Sequence, residues 1–383
     1  TGTVDWQTSS IKTSTFTAES GKGYFCNTAG GAFEVDLPAG TAGAIVSIQD
    51  YNNTFDSNNL TVDPNGSEKI NGGTAGGFVT LSTEGEGITL VYIDSTVGWR
   101  SIQDNVFADT GAIPSFVAAT GGTVTTVCTN YKVHTFTGPG TFCVSCAGNA
   151  DGSNTISYMV IAGGGGGGDG AGSSTNAGGG GGAGGYREGR TPQCNTWTAS
   201  PLNAPAGLPV TATGYPVTIG AGGTTGASGS NSVFTGSSTI TSAGGGNGGN
   251  GSGSSVAGSA GGSGGGANTN PGSGSAGNTP PVSPPQGNPG GSGGDSYSGG
   301  GGGATSVGED AGAGASGGGN GATSSINGTP TTRAAGGDGG GTSGPAGTPQ
   351  TANTGNGAPR GGAPGNAGGT GGSGIVIIRY KFQ

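Results

Sequence analysis

An all-β chain carrying a bundle of polyproline-II-type glycine helices is the architecture this sequence predicts, and three observations predict it. No window shows a convincing helical period, whereas short apolar runs of period two recur between turn-forming residues. Residues 244–373 are about two-fifths glycine and hold a single aromatic residue, Tyr297. That tract then runs straight into Gly374-Ile375-Val376-Ile377-Ile378-Arg379-Tyr380-Lys381-Phe382. Pro and Gly in excess without a strict period ordinarily mark a low-complexity chain. A disordered tail has no reason to end in a β-branched apolar strand, so the tract reads as an ordered insertion tethered at both ends.

The first 104 residues form a small all-β domain. Strands are expected at 23–27, 32–37, 44–50, 60–63, 78–82, 87–94 and 98–103. Between them stand turn formers such as Pro38-Ala39-Gly40, Asp63-Pro64-Asn65-Gly66 and Asn71-Gly72-Gly73. Residues 105–114 read as a linker. A β-sandwich over 115–243 follows, with strands at 131–136, 141–145, 155–162, 185–189, 215–220, 231–234 and 239–242 and a glycine loop at 163–185. Its last strand is 374–383, which must pair with one of the earlier strands. The glycine-rich bundle of 244–373 is thus inserted before the closing strand.

A strict Gly-X-Y repeat is absent from the tract, which excludes collagen. Local triplets occur, as in Gly245-Gly246-Asn247-Gly248-Gly249-Asn250, and three residues per turn is the polyproline-II period. Without a Cβ, such helices approach closely enough to exchange N–H···O=C bonds, helped by Cα–H···O contacts. The backbone groups that a lone polyproline-II chain leaves to water are then satisfied. At about 3.1 Å per residue the tract holds roughly 400 Å of path, or on the order of ten helices of 30–40 Å. The opposing cost is about 1–2 kcal/mol of backbone entropy per residue, highest for glycine, so only a dense hydrogen-bond lattice can offset it.

With 11 Lys plus Arg, a net charge of −9 and a pI near 4.4, the chain is a poor partner for nucleic acid or an anionic membrane. No run of 18 apolar residues is present, which argues against membrane insertion. The chain opens at Thr1 without a Met or a signal pattern, as the C-terminal portion of a longer polypeptide would. Cysteines 26, 128, 143, 146 and 194 are odd in number and irregularly spaced, and read as small buried apolar residues rather than a disulfide framework.

Catalytic, cofactor and metal sites are all expected to be absent. The six glycines at 163–168 satisfy G-x-G-x-x-G trivially, but no helix follows to bind phosphate. Residues 290–298 match a calcium nonapeptide, with only a second, poorer match at 164–169, where that fold needs stacked tandem copies. Cys143 and Cys146, with Cys128 and His134, offer zinc-type ligands, yet a regular strand would send Cys143 and Cys146 to opposite faces. His134 is the only histidine, and the acidic residues are scattered, so no hydrolytic arrangement emerges.

Three stretches carry a family resemblance: Lys132-Val133-His134-Thr135-Phe136-Thr137-Gly138-Pro139-Gly140-Thr141-Phe142; Tyr158-Met159-Val160-Ile161-Ala162-Gly163 with its continuation to Tyr186-Arg187; and the closing Gly372-Ser373-Gly374-Ile375-Val376-Ile377-Ile378-Arg379-Tyr380. Together they resemble the glycine-rich domain at the ends of marine bacteriophage tail-fibre proteins, as does the insert 278–288. Residues 23–103 are similar to a β module recurring along such fibres. More distantly, the tract resembles the polyglycine-II adhesins of T-even-like phage long tail fibres, whose helix-end loops bind the host.

The resemblance implies a non-catalytic distal receptor-binding protein of the virion tail fibre, extracellular and homotrimeric with other tail proteins. Its partner would be a bacterial surface glycan or outer-membrane protein. Expected contact loops are 278–289, 324–333 and 358–364, since recognition sits in loops on a stiff scaffold. Asn278, Gln286, Asn288, Tyr297, Asn327, Arg333 and Arg360 are the candidate receptor-binding residues. A structural fibre or appendage subunit, with the bundle as rigid spacer, is the alternative. An ice-binding protein is a third reading, disfavoured by the irregular triplets.

Overall fold

The computed structural model describes residues 4–102, 115–150, 152–172, 176–252, 256–312, 314 and 316–383. The expected linker at 105–114 lies outside them. The chain divides into two compact units, Thr1–Pro114 and Ser115–Gln383.

In the first unit two sheets enclose one core. Asp5–Trp6, Lys22–Cys26, Ile45–Asp50, Gly87–Asp94 and Gly98–Ser101 form one sheet in that order; Phe16–Thr17, Phe33–Asp36, Leu60–Asp63 and Val79–Leu81 form the other. Period-two alternation sends Val35, Leu60, Val62 and Leu81 inward from one sheet and Val46, Ile48 and Leu90 from the other, all nearly inaccessible. The first six strands alternate between sheets, so Lys22–Cys26 pairs with Ile45–Asp50 in parallel, as Phe33–Asp36 does with Leu60–Asp63. Trp99 fills the end of the core and donates its indole N–H to Glu68 Oε2 at 3.0 Å.

The second unit is a sandwich that continues into glycine helices. One sheet runs Thr123–Val127, Tyr131–Phe136, Ile375–Lys381, Thr155–Ile161, Tyr186–Gly189, Asn203–Ala204; the other runs Val117–Thr120, Gly140–Ala147, Gly214–Thr218, Ser232–Thr235, Thr239–Ser242. The closing strand lies between two partners, with Ile377 opposite Thr135 on one side and Met159 on the other. Val376, Ile378 and Tyr380 pack between the sheets with Phe142, Tyr215 and Phe234. Ile375 and Ile377 pack on the outer face with Tyr186, Trp197 and Ile326. Burial on both faces is why this strand is a continuous apolar run rather than an alternating one.

Only two of the five cysteines fulfil the expectation of burial, Cys26 and Cys194. Cys128 and Cys143 are exposed and Cys146 is half-buried, all five being free thiols. The reason is strand phase: Phe142 and Val144 take the inward positions of Gly140–Ala147, which turns Cys143 out.

Five strand ends pass directly into polyproline-II-type segments: Ile161 into 163–172, Thr218 into 219–224, Ser242 into 243–251, and, arriving from the bundle, 177–185 into Tyr186 and 366–374 into Ile375. The lattice has the three-residue period in its hydrogen bonds. Gly163 and Gly166 donate to Ser230 and Ala227, Gly164 and Gly167 to Gly372 and Gly369, and Gly165 and Gly168 to Gly182 and Gly179, all at 2.8–3.0 Å. Segment 177–185 is at the centre. Its N–H groups donate to Gly249, Gly299 and Ala358 from Gly179, Gly180 and Gly181, and its carbonyls accept from Gly168, Gly266 and Gly337. Six neighbouring segments therefore surround it. The expected glycine loop at 163–185 is instead the middle of the bundle, because its backbone groups find partners only when enclosed.

Glycine is required here by distance rather than by backbone angle. None of the glycines at 163–168 or 178–182 has positive φ. A Cβ added at Gly180 would stand 2.0 Å from Gly337 O, and one at Gly181 2.3 Å from Gly165 O. Segments of roughly six to ten residues span about 20–30 Å at the polyproline-II rise, shorter and more numerous than the tract's length suggested.

Candidate functional site

The segments run alternately away from the sandwich and back, which gives the bundle two ends. Turns at the near end include 278–287, the hairpin Ala322–Ser324 with Thr331–Arg333, and 351–355; turns at the far end include 294–297, 340–345 and 363–366. The two ends differ in chemistry.

Of the seven candidate residues, five belong to the near end and are engaged inside the fold. Asn278, at φ 49° in the left-handed region that asparagine tolerates, holds its loop: its Oδ1 accepts from Val282 N at 3.1 Å and Gln286 N at 3.2 Å. Gln286 is 1% exposed, with Oε1 accepting from Ala243 N at 2.9 Å and Nε2 donating to Pro280 O at 2.8 Å. Asn288 Nδ2 donates to the carbonyls of Gly303 and Ala304. Asn327 Oδ1 accepts from Thr329 N at 3.3 Å within its own turn. Arg333 is buried beside Tyr186 and Glu188, and burial draws its guanidinium below its ordinary value. A receptor cannot reach Gln286 or Arg333, and both belong to the interior rather than to a contact surface.

Glu188 anchors that interior. Its carboxylate accepts from Ser324 Oγ at 2.5 Å, Ser200 N at 2.9 Å and Tyr186 OH at 3.2 Å, tying the hairpin to the sandwich. Arg379, wholly buried, donates to Ile326 O and Thr196 Oγ1 and lies 4.8 Å from the Tyr131 ring.

Tyr297 and Arg360 belong to the far end, and the structure brings them to one turn. Tyr297–Ser298 pairs with Gly340–Gly341, and a Cβ at Gly341 would touch the Tyr297 ring at 3.1 Å. On the other side of the turn the Arg360 guanidinium lies against Gly340 and Gly344, where added Cβ atoms would meet Nη2 at 2.8 and 3.0 Å. Gly340 also takes φ 150°, a conformation that side chains rarely adopt. Asp338, Gly339, Pro345, Ala346, Gly347, Thr348 and Pro359 complete a cleft of about 200 Å³ around Arg360. Burial draws the arginine below its ordinary value, and its Nε is buried without a hydrogen-bond partner. Among the described residues no carboxylate forms an ion pair with it. The lining comes from three short segments of 338–360 brought together by the folding back of the chain, and no sequence signal marked Asp338 or Thr348 as neighbours of Arg360.

Carboxylates also gather toward this end, and most have lattice duties. Asp169, Asp310, Glu309 and Asp338 accept the N–H groups of Gly368, Ser292, Gly317 and Gly318 at 2.6–3.0 Å. Each replaces the carbonyl that a further helix would have supplied at the bundle's margin.

Elsewhere, Glu34, Asp36 and Asp63 hold carboxylate oxygens within 4.8 Å of one another on adjacent parallel strands. Glu34 is pushed up by its hydrogen bond with Asp36, by burial and by Asp63; Asp63 is pushed up by burial and by Asp36. A cation would suit these three half-buried carboxylates, though acidic groups also gather on surfaces without one. His134 is buried, with Nδ1 2.7 Å from Gly121 O and Nε2 3.1 Å from Tyr380 OH. A carbonyl only accepts, so Nδ1 carries the proton and Nε2 accepts from the tyrosine; the histidine is a strut.

No curated protein matches the chain. The family model of the glycine-rich domain matches residues 137–381, which takes in most of the sandwich, the whole bundle and the closing strand. The chain therefore belongs to the glycine-rich domain family.

Proposed function

We propose that this chain is a non-catalytic adhesin, the distal receptor-binding part of a bacteriophage tail fibre, and that the far end of its glycine bundle contacts the host surface. The observation that carries the reading is the contrast between the two ends. Near-end polar side chains such as Gln286 and Arg333 are enclosed by the fold, while the far end displays turns of unequal length around an open cleft that holds Arg360, with Tyr297 across the same turn. A lattice with six neighbours per central helix is a stiff platform, and a stiff platform keeps loop geometry constant while loop sequence varies. Weak single contacts would be multiplied by several fibres, each trimeric, on one virion.

Labelled protein should bind saturably to a subset of a bacterial panel and compete with phage adsorption. Tyr297→Ala and Arg360→Gln should lower that binding without loss of folding, while Asn327→Ala at the near end should not. Saturable binding that ignores both far-end substitutions would refute this placement of the contact surface.

The spacer reading keeps one observation in its favour, since the far-end carboxylates have structural duties at the lattice margin. It predicts no saturable binding to any cell in the panel.

A further inference from the structure

We propose that the cleft around Arg360 takes a single oxyanion carried on a sugar: the carboxylate of a uronic acid or the phosphate of a phosphosugar. This rests on the reading of the far end as the receptor-contacting surface and names the class of ligand recognised there.

Four features point to that class. The Arg360 side chain lines the cleft half-enclosed, and among the described residues its guanidinium has no ion pair. Arginine presents a planar fork of N–H donors that matches carboxylate and phosphate oxygens, and a desolvated fork gains most from an ionised acceptor. The plane is held in place by a bed of glycine at 340 and 344 that any side chain would fill. The carboxylate that lines the cleft, Asp338, is exposed, accepts the Gly318 N–H through Oδ1 at 2.9 Å and forms no ion pair with the arginine.

The walls indicate the rest of the ligand. Pro345 and Pro359 offer apolar surface to the C–H face of a sugar ring, and the Thr348 hydroxyl can exchange hydrogen bonds with its hydroxyl groups. Asp169, Asp295, Glu309, Asp310 and Asp338 give this end a negative field, in which Arg360 is the lone cation of 335–374. Such a surface repels a densely charged polyanion and accepts one anionic group on an otherwise neutral chain.

The test is titration of the full chain, by calorimetry or chemical-shift perturbation, with three probes. These are an oligosaccharide containing one glucuronic acid, a neutral oligosaccharide of equal length, and inorganic phosphate. The uronate is expected to bind and the neutral sugar not. Phosphate binding comparable to the uronate would assign the site to phosphosugars. Arg360→Gln should weaken binding about tenfold or more, and Arg360→Lys less, because the charge stays while the fork is lost. Gly344→Ala, which keeps the arginine and fills its bed, should also weaken binding; it carries the test if Arg360→Gln does not fold. Equal binding of neutral and acidic sugars, or an unchanged affinity in Arg360→Gln, overturns the proposal. The broader reading is separable by cell adsorption. If no anionic probe binds but Arg360→Gln reduces adsorption, the ligand class falls and the contact surface stands; if adsorption ignores Arg360→Gln and Tyr297→Ala, both fall.

Discussion

Gly180→Ala probes the lattice at its centre. In most folds replacing glycine by alanine stabilises by about 0.4–1 kcal/mol where the backbone angle allows it, through the entropy of the unfolded chain. Gly180 has no positive φ, so backbone angle raises no objection. Its environment does: the new Cβ would stand 2.0 Å from Gly337 O and 2.8 Å from Gly301 N, where Cβ atoms keep about 3.0 Å or more. Two backbones must separate by about 1 Å (3.0 against 2.0 Å). That motion opens the bonds from Gly180 N to Gly299 O and from Gly337 N to Gly181 O, now 3.1 and 2.9 Å. Each buried pair left unmade costs about 1–3 kcal/mol, and the overpacking itself about 1–3. The sum is on the order of 3–9 kcal/mol, comparable to the whole stability of many domains. Gly312→Ala is the control, because its Cβ would meet nothing within 4 Å; it should be neutral or slightly stabilising. Urea denaturation of both variants, with amide exchange of peptides from 163–185, measures the difference. Equal stability and equal protection in the two variants would refute the close-packed lattice.

Three further outcomes follow from the described side chains. His134 is held below its ordinary value of 6.5 mainly by burial, so the unfolded chain binds the proton more readily. Its contribution to stability is whole above about pH 6.5 and declines as pH falls, which NMR titration of this lone histidine and urea melts at pH 7.5 and 5.5 will check. Glu188→Ala removes the acceptor of three hydrogen bonds and leaves Arg333 without its counter-charge; about 3 kcal/mol or more of destabilisation is expected by urea denaturation. Thiol reagents under native conditions should label Cys128 and Cys143 and spare Cys26, whose thiol is buried and pushed up to about 12. Mass spectrometry of the labelled peptides decides it.

Much of the β structure was legible because period-two patterning is a local signal. Leu60–Asp63, Gly87–Asp94, Tyr131–Phe136 and Thr239–Ser242 have the expected bounds, and most other expected strands are displaced by a residue or two. Val117–Thr120 and Thr123–Val127 were missed, the first because Val-Ala-Ala-Thr has little contrast and the second because it is an edge strand with a mostly exposed face. The site was less legible. Tyr297 and Arg360 were marked by chemical type alone, and so were Gln286 and Arg333, which the fold buries.

The sequence by itself determined that the chain is all-β, that a glycine tract is tethered by a final apolar strand, and that such a tract needs neighbours to satisfy its backbone. These follow from side-chain period and from the cost of an unpaired peptide group, both properties of short stretches. Only the tertiary structure decided which segment is central, which turns face the sandwich and which face away, and that Arg360 lies on glycines 340 and 344 while Gln286 is enclosed. Glycine has no side chain with which to encode a partner. In this bundle the partners are chosen by the length of each run and by where its strands begin, quantities that act only when the whole chain has closed.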